Sequence, residues 1–200
     1  IARFYSEPVT PGLNATVSYM SKLPAEVEPG TKWVYKTGET HLLGELVSSA
    51  TGQTLADYLA AKIWGPYGME QSASWHIDRS GHELAGCCLQ VSLRDYARFG
   101  QFVLEDGRID GESIVPEGWF ASATSTQVIG SEGQCYGYQW WTDADGTFQA
   151  IGIHGQLIYF DPPRQLVVVI NSAWPEAVNP ERSAARVEFL RLITTAVDQD

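Results

Sequence analysis

The sequence has no run of apolar residues long enough to span a bilayer, which excludes a helical membrane protein. It has few cations: 13 Lys and Arg stand against 24 Asp and Glu, for a net charge of −11. That balance argues against nucleic acid and anionic membrane surfaces as partners. Three cysteines are too few for a disulfide scaffold. Cys87 and Cys88 are adjacent and read as small buried apolar residues. An odd count leaves one thiol without a partner in the chain, a lean toward a reducing, cytoplasmic compartment that leaves the location open. There is no G-x-S-x-G elbow, no phosphate-binding or dinucleotide glycine loop and no HExxH. His41, His76, His82 and His154 lack zinc-ligand spacing, so neither a metal nor a cofactor is expected.

What is present suits one domain or two intertwined subdomains. The chain has 200 residues, 44% of them apolar, and seven tryptophans, enough for a sizeable core. Ile1 is preceded by no Met and no signal-like stretch, so the start reads as internal. Residues 1–31 are broken by four prolines, with one short helix over 15–23 behind an Asn14 cap. Leu42, Leu43, Leu46 and Val47 fall on one helical stripe, which predicts a helix over 40–51 with Thr40 as cap and Gly52 as stop. Further helices are expected over 53–64, 92–105, 116–123 and 182–197, the last packing through Val187, Leu190, Ile193 and Thr194. Residues 124–136 read as a loop and 136–142 as a strand.

The best-defined unit is Ala150-Ile-Gly-Ile-His-Gly-Gln-Leu-Ile-Tyr-Phe-Asp161, a Pro-containing break, and Leu166-Val-Val-Val-Ile-Asn171. β-Branched and aromatic flanks around such a break predict a β-hairpin. The second flank is apolar throughout, as for a strand buried on both faces. The first holds Gly152 and Gly155, which in an edge strand imply close approach by a ligand. Helices, then antiparallel strands, then a closing helix make the fold class α+β. Residues 1–134 form the helical region and 135–200 the strands with the C-terminal helix.

Four blocks carry a resemblance: Trp33-Val-Tyr35-Lys-Thr37-Gly-Glu-Thr40-His-Leu-Leu-Gly44; Leu84-Ala-Gly86-Cys-Cys-Leu89 with Ser92-Leu-Arg-Asp95-Tyr-Ala-Arg98-Phe-Gly100; Tyr138-Gln-Trp140-Trp141; and Gly152-Ile-His154-Gly-Gln156 with Phe160-Asp-Pro162. Their order and spacing over residues 30–200 resemble the serine β-lactamase-like superfamily. The nearest branch is that of 6-aminohexanoate-dimer hydrolases and related family VIII carboxylesterases. The resemblance implies a β-lactamase/transpeptidase-like fold, here incomplete at its N-terminus, and a serine hydrolase acting on a small ester or linear amide through an acyl-enzyme.

In that family Ser-x-x-Lys supplies the nucleophile and its amine, Tyr-x-Asn a proton shuttle, and a Lys-Thr-Gly strand the far wall. By resemblance Tyr35 is the shuttle, Thr37 stands where Asn or Ser is usual, and the backbone N–H of Ile153 is an oxyanion donor. Gly86, Gly152 and His154 are implied in substrate binding with Thr37. On the residues alone, Thr37 reads equally as a helix-start residue, Gly86 as a turn and His154 as a satisfied histidine rather than a base. Ala150 replaces the strand Lys, which disfavours recognition of a penicillin carboxylate. The four lysines are preceded at i−3 by Tyr19, Pro29, Trp33 and Leu59, so no Ser-x-x-Lys occurs. The expectation is a chain without its nucleophile, with an apolar edge open to a second copy or to a complementing N-terminal segment. The alternatives are a catalytically silent binding module of the same fold, and a β-lactamase or penicillin-binding protein.

Overall fold

The computed structural model describes residues 6–199; Ile1, on which the internal-start reading bears, lies outside them. The chain divides into two compact units, residues 1–92 and 93–200. The sequence reading divided it at 134/135, between helices and strands. The units part earlier because the helix of residues 93–104 lies against the last two strands of the sheet.

In the first unit, helix α1 (Ala15–Met20) is capped by Asn14, whose side chain accepts the Val17 N–H at 2.8 Å. Helix α2 (Thr37–Thr51) begins three residues before Thr40. Its N-cap Lys36 is extended and supplies no side-chain cap, so composition gave no start signal. Gly52 closes α2 in the left-handed conformation, as expected. The face α2 turns inward is not the expected one. His41 and Gly44 are buried, while Leu43, Leu46 and Val47 are exposed. Polar bonds hold the inner face: Glu45 accepts from Asn14 Nδ2 at 2.6 Å and pairs with His82 Nδ1 at 3.0 Å. Helix α3 (Leu55–Leu59), capped by Thr54, runs into a π-helical turn, Ala60–Trp64. Strand β1 (Ser74–Trp75) pairs antiparallel with β2 (Leu89–Gln90), and buried Ala15 and Leu84 form the local core with Val9 and Tyr19.

The second unit opens with helix α4 (Leu93–Leu104). A small hairpin follows, β3 (Arg108–Ile109) and β4 (Glu112–Ser113), then helix α5 (Trp119–Ala123). Six antiparallel strands come next: β5 (Val128–Ile129), β6 (Cys135–Tyr136), β7 (Trp141–Thr142), β8 (Phe148–Ile151), β9 (Leu157–Asp161) and β10 (Leu166–Ile170). Their order is β10-β9-β8-β7-β6-β5. Residues 124–136 therefore hold two strands rather than a loop. The strand expected over 136–142 is two short strands separated by a reversal in which Gln139 has φ 68°. The β9–β10 hairpin forms as predicted, about the 3₁₀ turn Pro162–Arg164. β10 is half-buried along its length rather than enclosed on both faces, and stands at the sheet's end among the described residues.

Phe148 and Phe160 stack at 4.5 Å in the core, and Trp140 meets both rings edge-on. Helix α6 (Pro180–Val197), capped by Asn179, closes the chain. Leu190, Ile193 and Thr194 are half-buried as expected, but Val187 is exposed, because the inner stripe runs instead through Ser183 and Arg186. Cys87 and Cys88 are not buried: both are exposed and joined in a disulfide, leaving Cys135 free.

Candidate active site

Tyr35 lies in an extended segment just before α2, with 57% of its surface exposed. Glu26 braces that segment, reaching Lys32 Nζ at 2.8 Å and Lys36 Nζ at 2.9 Å. Hydrogen bonds from the two ammonium groups, Lys32 before Lys36, hold the Glu26 carboxyl down to about 2. Thr37 is the first residue of α2, one turn before His41. Gly86 closes on both: a Cβ there would stand 2.9 Å from Thr37 Cγ2, 3.1 Å from the Thr37 carbonyl oxygen and 3.3 Å from His41 Cε1. The Gly86 N–H donates to His41 Nδ1 at 3.0 Å. That bond requires an unprotonated Nδ1, so the imidazole is neutral with its proton on Nε2. Burial pushes the His41 pKa below 6.5, against the pull of Asp78.

His41, which sequence reasoning considered only as a failed zinc ligand, thus joins Thr37 and Gly86. Helical spacing from Thr37 was the signal that could have found it. With Tyr19, Met20, Leu23, Lys36, Thr37 and Gly38 it lines a cleft of about 300 Å³. The cleft walls are mostly apolar.

In the second unit, the expected strand amide turns out to be a turn amide. β8 ends at Ile151, and residues 152–156 reverse the chain into β9. The turn is tied at almost every polar atom. Gly152 N–H donates to Gln156 O at 2.9 Å and Gly155 N–H to Gly152 O at 3.1 Å. His154 N–H donates to Gln156 Oε1 at 3.2 Å. From outside the turn, Val178 N–H donates to Ile153 O at 2.8 Å and Trp174 N–H to His154 O at 3.0 Å. Gln156 Nε2 donates to Ser172 O at 2.7 Å.

Two backbone amides of the turn, those of Ile153 and Gln156, have no acceptor among the described residues, and Ile153 is 62% exposed. A braced turn with a free, exposed N–H has the form an oxyanion donor needs. Its rigidity comes from these side bonds and not from a sheet ladder. His154 Nδ1 lies 2.8 Å from the Trp174 carbonyl oxygen and donates to it, so this nitrogen serves the turn. Gly155 has φ 88°, and a Cβ there would overlap the Trp174 indole, so both backbone and packing demand glycine.

Tyr35, Thr37 and Gly86 belong to the first unit, and Gly152, Ile153 and His154 to the second. Among the described residues no group of three or more His, Cys, Asp or Glu side chains could hold a metal ion, and no helix is long and apolar enough to cross a membrane.

The Beta-lactamase family model matches residues 2–192. A 6-aminohexanoate-dimer hydrolase of Paenarthrobacter ureafaciens is 28% identical over 173 residues, 80% of this chain and 44% of the relative. A solved structure described as a 6-aminohexanoate-dimer hydrolase from Bacillus anthracis superposes with a TM-score of 0.78 at 27% identity, over 88% of this chain and 47% of that one. A simvastatin synthase of Aspergillus terreus gives 0.69 at 17% identity, over 90% and 58%, and shows likeness of fold alone. The chain spans about half the length of these relatives.

Proposed function

Because this chain belongs to the Beta-lactamase family and has its α+β fold, we propose that it provides the proton-shuttling phenol and the oxyanion amide of a serine hydrolase. The substrate class is a carboxylic ester or a short linear amide like a 6-aminohexanoate oligomer. The family's members are hydrolases, and among this chain's relatives is a 6-aminohexanoate-dimer hydrolase.

In this reading a serine oxygen attacks the substrate carbonyl, and the tetrahedral oxyanion accepts the Ile153 N–H. Tyr35 takes the serine proton and returns it to the leaving alcohol or amine. Water then attacks the acyl-enzyme by the same route in reverse order. By resemblance the substrate-binding roles fall to Thr37 and Gly86 in the first unit and to Gly152 and His154 in the second, with His154 Nδ1 engaged by the Trp174 carbonyl. No Ser-x-x-Lys occurs in the sequence, and this reading assigns the acylated serine to none of its residues. Ala150, where the Lys-Thr-Gly-like strand would carry Lys, supplies no ammonium, which disfavours recognition of a penicillin carboxylate and favours an ester or linear amide.

The observation that carries the reading is the Ile153 amide, an exposed N–H without an acceptor among the described residues, in a turn braced by the chain around it. The test is hydrolysis of p-nitrophenyl esters and of linear 6-aminohexanoate dimer by the gene product that contains this chain. Tyr35→Phe is expected to lower kcat by about 10²–10⁴-fold with little change in KM. Full activity of that variant would remove the phenol from the mechanism. The 200 residues alone are expected to form no covalent adduct with a fluorophosphonate probe, and rapid acylation would show a nucleophile within them. No turnover by the gene product on any ester or amide would leave a silent binding module as the better reading.

A further inference from the structure

The bond between Cys87 and Cys88 plays no part in the proposed chemistry, yet it directly follows Gly86, which packs closely against Thr37 and His41. Both residues are exposed, so small thiols can reach the sulfurs. The loop that carries them is held from two sides. Trp75 Nε1 donates to the carbonyl oxygens of Leu84, at 3.1 Å, and Cys87, at 3.0 Å. His76 N–H donates to Cys88 O at 3.2 Å, and Leu84 N–H to His76 O at 2.9 Å. On the other side the Gly86 N–H meets His41 Nδ1 at 3.0 Å, with no room between Gly86 and Thr37. Cys88 has φ 72°, in the left-handed region that non-glycine residues seldom occupy.

We propose that Cys87–Cys88 is a reversible thiol–disulfide exchange site, reduced by dithiols and re-formed by low-molecular-weight disulfides, that sets the position of the Gly86 amide against His41 and Thr37. A dithiol reductant attacks one sulfur through its thiolate, giving a mixed disulfide and releasing the other cysteine as a thiol. The reductant's second thiol then displaces the first sulfur. The protein disulfide gains two electrons and two protons, and the reductant becomes a disulfide. Once the bond opens, Cys88 is free to leave the left-handed region. Trp75 and His76 pin the carbonyl groups of Leu84, Cys87 and Cys88 from one side, so the adjustment falls on Ala85 and Gly86. Gly86 has no slack, and its displacement lengthens the bond to His41. The proposal stands on this geometry and does not rest on the hydrolase reading.

The experiment uses the chain equilibrated with oxidised glutathione and desalted, then labelled with maleimide under denaturing conditions. One label is expected, on Cys135, and three after excess dithiothreitol. In ¹⁵N spectra of the folded chain, reduction is expected to shift the Gly86 amide and His41 Nδ1 resonances, and re-oxidation to restore them. A Cys87→Ala, Cys88→Ala double variant is expected to show one state under both conditions. Three labels on the oxidised chain, or glutathione adducts on both cysteines, would overturn the exchange site. The expected labelling with unmoved Gly86 and His41 resonances would overturn its link to the cleft.

Discussion

At position 86 a hydrogen atom stands where any other residue would place a carbon against Thr37 and His41. The 2.9 Å contact to the Thr37 methyl is shorter than a real Cβ shows, and the 3.1 Å contact to the Thr37 carbonyl oxygen is tight against backbone, which gives little. Gly86→Ala is therefore expected to destabilise the chain by about 1–3 kcal/mol, the usual cost of overpacking, read by urea denaturation. It should also move the Gly86 amide away from His41. The imidazole itself gives a pH dependence. Its folded pKa lies below the ordinary 6.5, so between the two values the unfolded chain binds the proton and the folded chain does not. Stability from this group is complete above pH 6.5 and is lost as pH falls toward the folded pKa. Glu45 acts in the opposite sense, since burial raises its carboxyl. The measurement is accordingly a difference: the thermal midpoint of His41→Asn, which keeps an acceptor for Gly86 without titrating, should fall less than wild type between pH 7 and pH 5. Equal falls would mean that His41 does not set the slope. Gly86 stood out in the sequence through the family block around it. His41 did not, although helical spacing puts it on the face of Thr37, because its partner is a backbone amide 45 residues away that spacing alone does not supply.

The turn between β8 and β9 shows how an element is held by what lies outside it. Residues 172–178 clamp it through Ser172, Trp174 and Val178, and Arg186 of α6 lies over the Trp174 ring at 5.3 Å. Trp174→Ala removes the indole that fills the space beside Gly155 while keeping its backbone bonds to His154. We expect a loss of about 1–3 kcal/mol and faster hydrogen exchange at the Gly152 and Gly155 amides. Unchanged exchange there would show that the turn holds itself. The β9–β10 hairpin was legible because five consecutive pairs with apolar flanks leave a pattern. β5, β6 and β7 were not, because two-residue strands are shorter than any periodicity. The expected strand amide at Ile153 was misplaced for a related reason. Gly152 and Gly155 in a β-branched run were read as a strand seen close to, when they mark its end.

Over the whole molecule, three of the four apolar residues expected on the inner stripe of α2 are left bare. Leu43, Leu46 and Val47 recur at helical spacing on α2 and are 48%, 64% and 38% exposed. Periodicity located this stripe correctly but could not say which side of the helix the chain would cover. The polar triad of Asn14, Glu45 and His82 decided that, by tying the other side down. An uncovered stripe of this kind marks an interaction surface or an aggregation liability. In a solution of this chain alone, the available cover is the same stripe on a second copy, packed as two amphipathic helices. The net charge of −11 opposes that approach at low salt, so association should strengthen as salt screens it. Light scattering is expected to show mass rising with concentration and with salt, and Leu46→Glu should hold the chain at monomer mass. Leu46 is the most exposed of the three, so this change costs little packing within the unit. If Leu46→Glu associated as strongly as wild type, the contact would have to lie elsewhere, and the end strand β10, apolar from Leu166 to Ile170, would be the next surface to charge.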